Sequence, residues 1–134
     1  MKYLLDTNVC IDYLTGRFPT TVRRIQASTP EDMGVSTVSV AELRYGADKS
    51  DRPEANHQLL DTFLADVPAL DFDLRAAAEY GQLRAALERS GTPIGPNDML
   101  ISAQALALRL VLVTDNESEF RRVEGLVVEN WRSE

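Results

Sequence analysis

The 134-residue chain has a single cysteine, Cys10, and a single histidine, His57. One cysteine rules out an intramolecular disulfide framework and is compatible with a reducing, cytoplasmic setting. One histidine and one cysteine, far apart in the chain, leave no set of soft ligands for zinc. There is no apolar stretch near the roughly 20 residues needed to cross a bilayer, so no membrane association is expected. Asp6 interrupts the first apolar run too early for a secretory leader. Repeats and low-complexity tracts are absent, as is the glycine-rich loop of a nucleoside-triphosphate site. No serine, cysteine or histidine triad suggests itself. Positive charge is also scarce: 14 basic residues against 21 acidic ones give a net charge of −7, which argues against a sequence-independent nucleic-acid coat.

What is present is apolar and regularly spaced. Hydrophobic residues make up 44% of the chain, enough for one core in a single domain over residues 1–134. Lys2 to Leu5, Met33 to Ser36, "VPALDF", "LVLVTD" and Val127 to Glu129 read as strands. Helices are expected from Val9 to Leu14, Pro19 to Ser28, Val40 to Asp48 and Pro53 to Ala65. In the helix from residue 53, Leu59, Leu60, Phe63 and Leu64 share one side. Asp73 caps a long helix with Leu74, Ala77, Ala78, Gly81, Leu83 and Leu87 on its apolar face, stopped by Gly91. "GTPIGPND" reads as a loop, with Asn97 as a plausible cap for a helix from Met99 to Leu108 that is apolar nearly all round and therefore buried. "LVLVTD" is continuous and rich in branched residues, as in a parallel sheet covered on both faces. Alternating strands and helices make this an α/β fold with a parallel sheet. Cys10 falls within an apolar pattern and reads as a small core residue; His57 lies in a polar helical stretch with no chemistry assigned.

Two strands end at an acid. The first stops at Asp6 and the strongest at Asp115. Parallel strands bring such ends to one edge, where open sheets bind their ligands. Asp98 opens the buried helix, Glu42 lies near the start of the helix after the second strand, and Glu119 follows Asp115 closely. Each has a local alternative. Ser39 to Glu42 fits a capping box, Asn116 to Glu119 resembles one, Asp98 favours a helix dipole, and Asp6 can close an Asx turn. Taken together, several carboxylates on one edge repel one another unless a cation neutralises them. Oxygen donors select Mg²⁺ or Mn²⁺, and a carboxylate nest around such an ion points to water attacking a phosphodiester.

"LLDTNVCIDYL", "VSTVSVAELRYGA", "GTPIGPNDMLISAQAL" and "LVTDNESEFRRVEGLVVENW" occur in that order over most of the chain. The set resembles the PIN-domain family, and within it the VapC toxins of type II toxin–antitoxin systems. The resemblance implies a three-layer α/β/α sandwich around a central parallel β-sheet and a Mg²⁺- or Mn²⁺-dependent endoribonuclease acting on tRNA or ribosomal RNA. It also implies a homodimer, a VapB-like antitoxin partner, and contact with DNA only through that antitoxin. Residue by residue, the family's acids fall on Asp6, Glu42 and Asp98, with the fourth open between Glu119, Asp115 and, as an amide variant, Asn116. Thr7, Asn8, Ser36, Thr114 and Asn116 are expected to orient the carboxylates. Arg17, Arg23, Arg24, Arg44, Lys49 and Arg52 are candidates for RNA phosphates or, equally, solvated helix faces. Exposed faces around Val22, Ile25, Leu59 and Phe63 are candidates for an antitoxin groove, or core. A PIN-like module that binds RNA or protein without catalysis is the competing reading, and intact Asp6, Glu42 and Asp98 argue against it. A signalling receiver domain is disfavoured, because Asp6 has no adjacent acid and "LVTDNE" supplies no lysine.

Overall fold

The computed structural model describes residues 1–133. Five strands form one parallel sheet: β1 (Tyr3–Leu5), β2 (Met33–Ser36), β3 (Ala69–Leu70), β4 (Val111–Val113) and β5 (Val128–Glu129). Their order is β3-β2-β1-β4-β5. The chain therefore builds outward from β1 in one direction and then crosses back to place β4 on its other side. That reversal falls between β1 and β4, whose ends are Asp6 and Thr114-Asp115. Leu5 pairs with Val113, and the Asp6 amide donates to the Val113 carbonyl at 2.9 Å, so the two strand ends are level.

Seven helices cover the sheet: α1 (Thr7–Thr15), α2 (Pro19–Ala27), α3 (Thr37–Asp48), α4 (Pro53–Asp66), α5 (Leu74–Ser90), α6 (Pro96–Leu108) and α7 (Glu117–Phe120). Adjacent residues of one strand point to opposite faces. Leu5, Val35 and Val113 face one core with Val9, Cys10, Ile25, Leu60 and Phe63. Leu4 and Leu112 face the other with Ile101, Ala105 and Phe120. The result is the three-layer α/β/α sandwich. Cys10 is fully buried, and burial pushes its thiol far above the ordinary range, as suits a core residue.

Most helices lie where their patterns place them, with informative differences. The strand expected over "VPALDF" shortens to Ala69–Leu70. The helix after β2 begins at Thr37 rather than Val40, because the Ser36 hydroxyl accepts from the Val38 amide at 3.0 Å. This removes the capping-box reading of Ser39 to Glu42: Ser39 is buried in the helix and Glu42 sits in its second turn. The long helix α5 buries Ala76, Leu83 and Leu87 with Tyr80 half-buried, one stripe at helical spacing. Leu74 is 88% exposed and Ala77, Ala78 and Gly81 face outward, so the expected apolar face mixed two registers of an alanine-rich sequence. Gly91 ends α5 in the left-handed region at φ 68°. Helix α6 starts three residues before Met99, inside the expected loop "GTPIGPND", with Pro96 at its first position and Gly95, not Asn97, as N-cap. Its alanines allow close approach, and seven of its residues are buried.

Candidate functional site

Asp6 ends β1 and caps α1. Its Oδ1 accepts from the Thr7 amide at 2.8 Å and its Oδ2 from the Thr114 hydroxyl at 2.8 Å. Both partners hold the carboxylate in place without cancelling its charge. Asp6 is 4% exposed; burial first, and then the charges of Asp115 and Glu42, push it up to about 6 against its hydrogen bonds. Thr7 turns the other way: its hydroxyl donates to Glu42 Oε1 at 2.8 Å. One threonine thus links the β1 end to α3, and another links β4 to β1.

Asp98 stands in the first turn of α6. Burial, then the charges of Asp6 and Glu119, a hydrogen bond with Glu119 and the charge of Glu42 push it up to about 7. Glu119, from α7, accepts the Gly95 amide at 2.8 Å through Oε1 and the Asn116 side-chain amide through Oε2. Gly95 is therefore part of the site, although no motif singled it out. A Cβ there would lie 3.3 Å from Asp98 Oδ2 and 3.7 Å from Glu119 Oε1. The bare glycine leaves the space in which these two acids meet.

Asp6, Glu42, Asp98 and Glu119 thus converge, with Thr7, Thr114 and Asn116 beside them. Asn116 opens α7 without a side-chain cap bond to its backbone, so the resemblance to a capping box is only partial. Ser36 and Asn8 have other partners. Ser36 caps α3 and so orients the helix carrying Glu42. Asn8 donates to Asp115 Oδ1 at 3.3 Å. Asp115 is turned from the nest and accepts Arg132 Nη1 at 3.0 Å. Arg132 also forks onto Asp12, at 2.7 and 3.0 Å. Neither residue of that pair was anticipated. The available signal was Asp12 itself, an acid three residues after Val9 on a buried helical face, which demands a cation.

The early basic residues are largely occupied. Arg44 donates to Asp61 at 2.6 Å and meets His57 Nδ1 at 3.0 Å, while His57 Nε2 pairs with Asp48 at 2.7 Å. Arg24 lies over the Trp131 ring, Arg17 near the Phe18 ring, and Lys49 over Tyr45. His57 thereby staples α3 to α4.

Among the described residues, no three acids stand at the spacing of a ready-formed ion cage. The donor set nonetheless suits a hard divalent cation. Its donors are carboxylate oxygens, burial first and then neighbouring acids push Asp6 and Asp98 up, and Asp98 and Glu119 both approach Gly95.

The family comparison follows this geometry. The PIN domain model matches residues 3–126. The chain belongs to the PIN-domain family. Its relatives include the tRNA(fMet)-specific endonuclease VapC of Shigella flexneri, 41% identical over 131 residues and 98% of both chains. Ribonuclease VapC2 of Rickettsia felis is 38% identical over 133 residues, again 98% of each. Among solved structures, DNA-bound VapBC from Salmonella typhimurium superposes with TM-score 0.93 at 40% identity, covering 98% of each chain. VapBC2 from Rickettsia felis bound to a promoter DNA fragment gives 0.89 at 36% identity, covering 98% of this chain and 99% of that one. The PIN sandwich is therefore a family property that this chain carries over residues 3–126.

Two predictions come from the geometry of this PIN domain. In EDTA, Asp6 and Asp98 hold protons in the folded state that they release when unfolded, between about pH 4 and the folded values near 6 and 7. The folded state binds more protons there, so stability is greatest at the acid end of that window and declines as pH rises through it. Asp6→Asn should flatten the decline, leaving the variant at pH 8 as stable as the parent or more stable by about 2 kcal/mol or less. Thermal melts across pH 5–8 in EDTA measure this; a variant melting well below the parent at pH 8 makes Asp6 a structural cap. Second, Gly95 has φ −59° and ψ 150°, which alanine accepts. Gly95→Ala should cost at most about 1 kcal/mol of stability but weaken Mn²⁺ binding several-fold by crowding Asp98, as read by calorimetric titration.

Proposed function

We propose that this PIN domain is a divalent-metal-dependent endoribonuclease, the toxin half of a toxin–antitoxin pair, with Mg²⁺ as its ion and Mn²⁺ as a substitute. The observation that carries this is the convergence of Asp6, Glu42, Asp98 and Glu119 at the β1–β4 edge, their acidic charges facing one another. The names of the curated relatives, ribonuclease and tRNA(fMet)-specific endonuclease, support the reaction class and point to tRNA as the first substrate to test.

Asp6, Glu42, Asp98 and Glu119 would hold the ion. When bound, it supplies charge to a phosphodiester and acidifies and orients an attacking water. The protein's own work is positional. Thr114 and the Thr7 amide fix both oxygens of Asp6; the Thr7 hydroxyl fixes one oxygen of Glu42; Gly95 and Asn116 fix Glu119. Such aiming keeps ligand oxygens in place before substrate arrives, so little reorganisation remains during reaction.

Asp6→Asn and Asp98→Asn should abolish cleavage of total tRNA with the fold intact, because each keeps shape and removes a ligand charge. Glu42→Gln should be severe. Glu119→Gln should cost more activity than Asp115→Asn, since Glu119 lies in the nest and Asp115 is paired elsewhere. Retained cleavage by Asp6→Asn in saturating Mg²⁺ would refute the assignment. Metal binding without cleavage of any RNA by the parent chain would favour the non-catalytic binding module.

The partner is an antitoxin, as the solved VapBC complexes suggest. An apolar groove runs between α1, α2 and α4, lined by Leu14, Val22, Ile25, Leu59 and Phe63. Ile25 and Phe63 form its buried floor, while Leu59 is 52% exposed at its rim. From Leu14 and Leu59 the apolar surface continues past Ile11 and Leu43 to Glu42. An extended segment seated there can deliver a guanidinium to the nest, whose carboxylates match its fork. Antitoxin and Mg²⁺ should then compete. Antitoxin affinity measured across a magnesium series at fixed ionic strength should fall; a flat response would leave steric blocking of RNA instead.

A further inference from the structure

Asp115 ends β4 beside Asp6, near enough for its charge to act on it, yet its carboxylate faces α1 and the C-terminal segment. Arg132 Nη1 holds Oδ2 at 3.0 Å, and Asn8 holds Oδ1 at 3.3 Å. Arg132 is itself fixed without help from Asp115. Its Nε and Nη2 fork onto both oxygens of Asp12, which is 2% exposed. Its guanidinium lies 4.1 Å from the Phe18 ring centroid. Its carbonyl accepts from the Thr20 hydroxyl at 2.6 Å, and its amide donates to Asn130 Oδ1 at 2.9 Å. A buried acid on α1 thus aims a cation at Asp115, whose carboxylate is held by Arg132 and Asn8.

We propose that Arg132 is a positioning residue that holds Asp115 out of the metal nest, so that an entering divalent ion meets Asp6, Glu42, Asp98 and Glu119 and not a fifth carboxylate. This rests on the metal-dependent reading above. A carboxylate freed beside an incoming dication is drawn to it. It would add a ligand from the end of β4 and pull the ion from the place that Asp98 and Glu119 define. The bidentate pair with Asp12 is what makes the restraint firm: a planar fork bound on one edge has its remaining Nη1 direction fixed.

The test measures Mn²⁺ affinity by calorimetry in the full chain, with thermal melts to confirm folding. Arg132→Met alone would strand Asp12 as an unpaired buried charge and endanger the fold. Two variants avoid this. Arg132→Lys keeps a cation for Asp12 but cannot bridge both acids; Asp12→Asn combined with Arg132→Met removes the buried charge with its partner. Both should bind Mn²⁺ at least about threefold more tightly than the parent, while tRNA cleavage at saturating metal falls. Adding Asp115→Asn to either should return the affinity to that of Asp115→Asn alone. A gain smaller than threefold in folded variants overturns the proposal. So does a gain that persists with Asp115→Asn, which would reflect lost positive charge rather than a released carboxylate. Absence of Mn²⁺ binding in the parent chain overturns the metal reading and this inference together.

Discussion

The structure is organised around a carboxylate that it buries at a cost. Asp6 sits where the two central strands of a parallel sheet end, nearly inaccessible to water, and desolvation opposes its ionised form more than its two hydrogen bonds favour it. A fold tolerates such a group when something outside the chain repays it. The surrounding choices fit that logic. Thr7 and Thr114 supply hydroxyl donors rather than cations, while Arg24 of α2 is engaged with Trp131 and Glu129 and Arg44 of α3 with Asp61 and His57. Charge of the compensating sign is kept off the nest, which leaves its repulsion in place for a partner to relieve.

The net charge of −7 looks like an objection to an RNA-directed protein until it is divided by place. Four acids belong to the nest, and Asp12 and Asp115 share the single cation Arg132. What an RNA phosphate meets at this edge depends on whether a cation occupies it. The same property suits a regulator that carries a guanidinium: a carboxylate cluster that attracts a dication also attracts a planar cation. Substrate chemistry and inhibition are then two answers to one electrostatic excess.

The sheet and the edge were legible from the sequence for a simple physical reason. Strands covered on both faces are continuous apolar runs, and the first charged residue after each marks where it leaves the core; Asp6 and Asp115 are such residues. Helix termini were less legible wherever a side chain decided them. Ser36 captures the Val38 amide and starts α3 three residues before the apolar spacing begins. Gly95 and Pro96 open α6 without any side-chain cap. In α5 the abundance of alanine gives nearly equal apolar scores to several faces, and only packing against α6 selects Ala76, Leu83 and Leu87. Within the site, residue type suggested membership for both Glu119 and Asp115. Sequence spacing could not separate them, because what separates them is a cation 120 residues from Asp12 in the chain.

That long-range pair also explains why the edge is asymmetric. On one side, α6 and α7 bring Asp98 and Glu119 together across the space left by Gly95. On the other, the last residues pass under α2, where Trp131 packs edge-on to Tyr3 and Arg132 reaches Asp12. Tyr3 belongs to β1 and Asp12 to α1, the two elements that flank Asp6. The C-terminal segment therefore braces the backbone on both sides of the buried acid while occupying the neighbouring one. A nest that must remain repulsive to be useful needs its members counted as well as aimed, and here the counting falls to residues that never touch the nest.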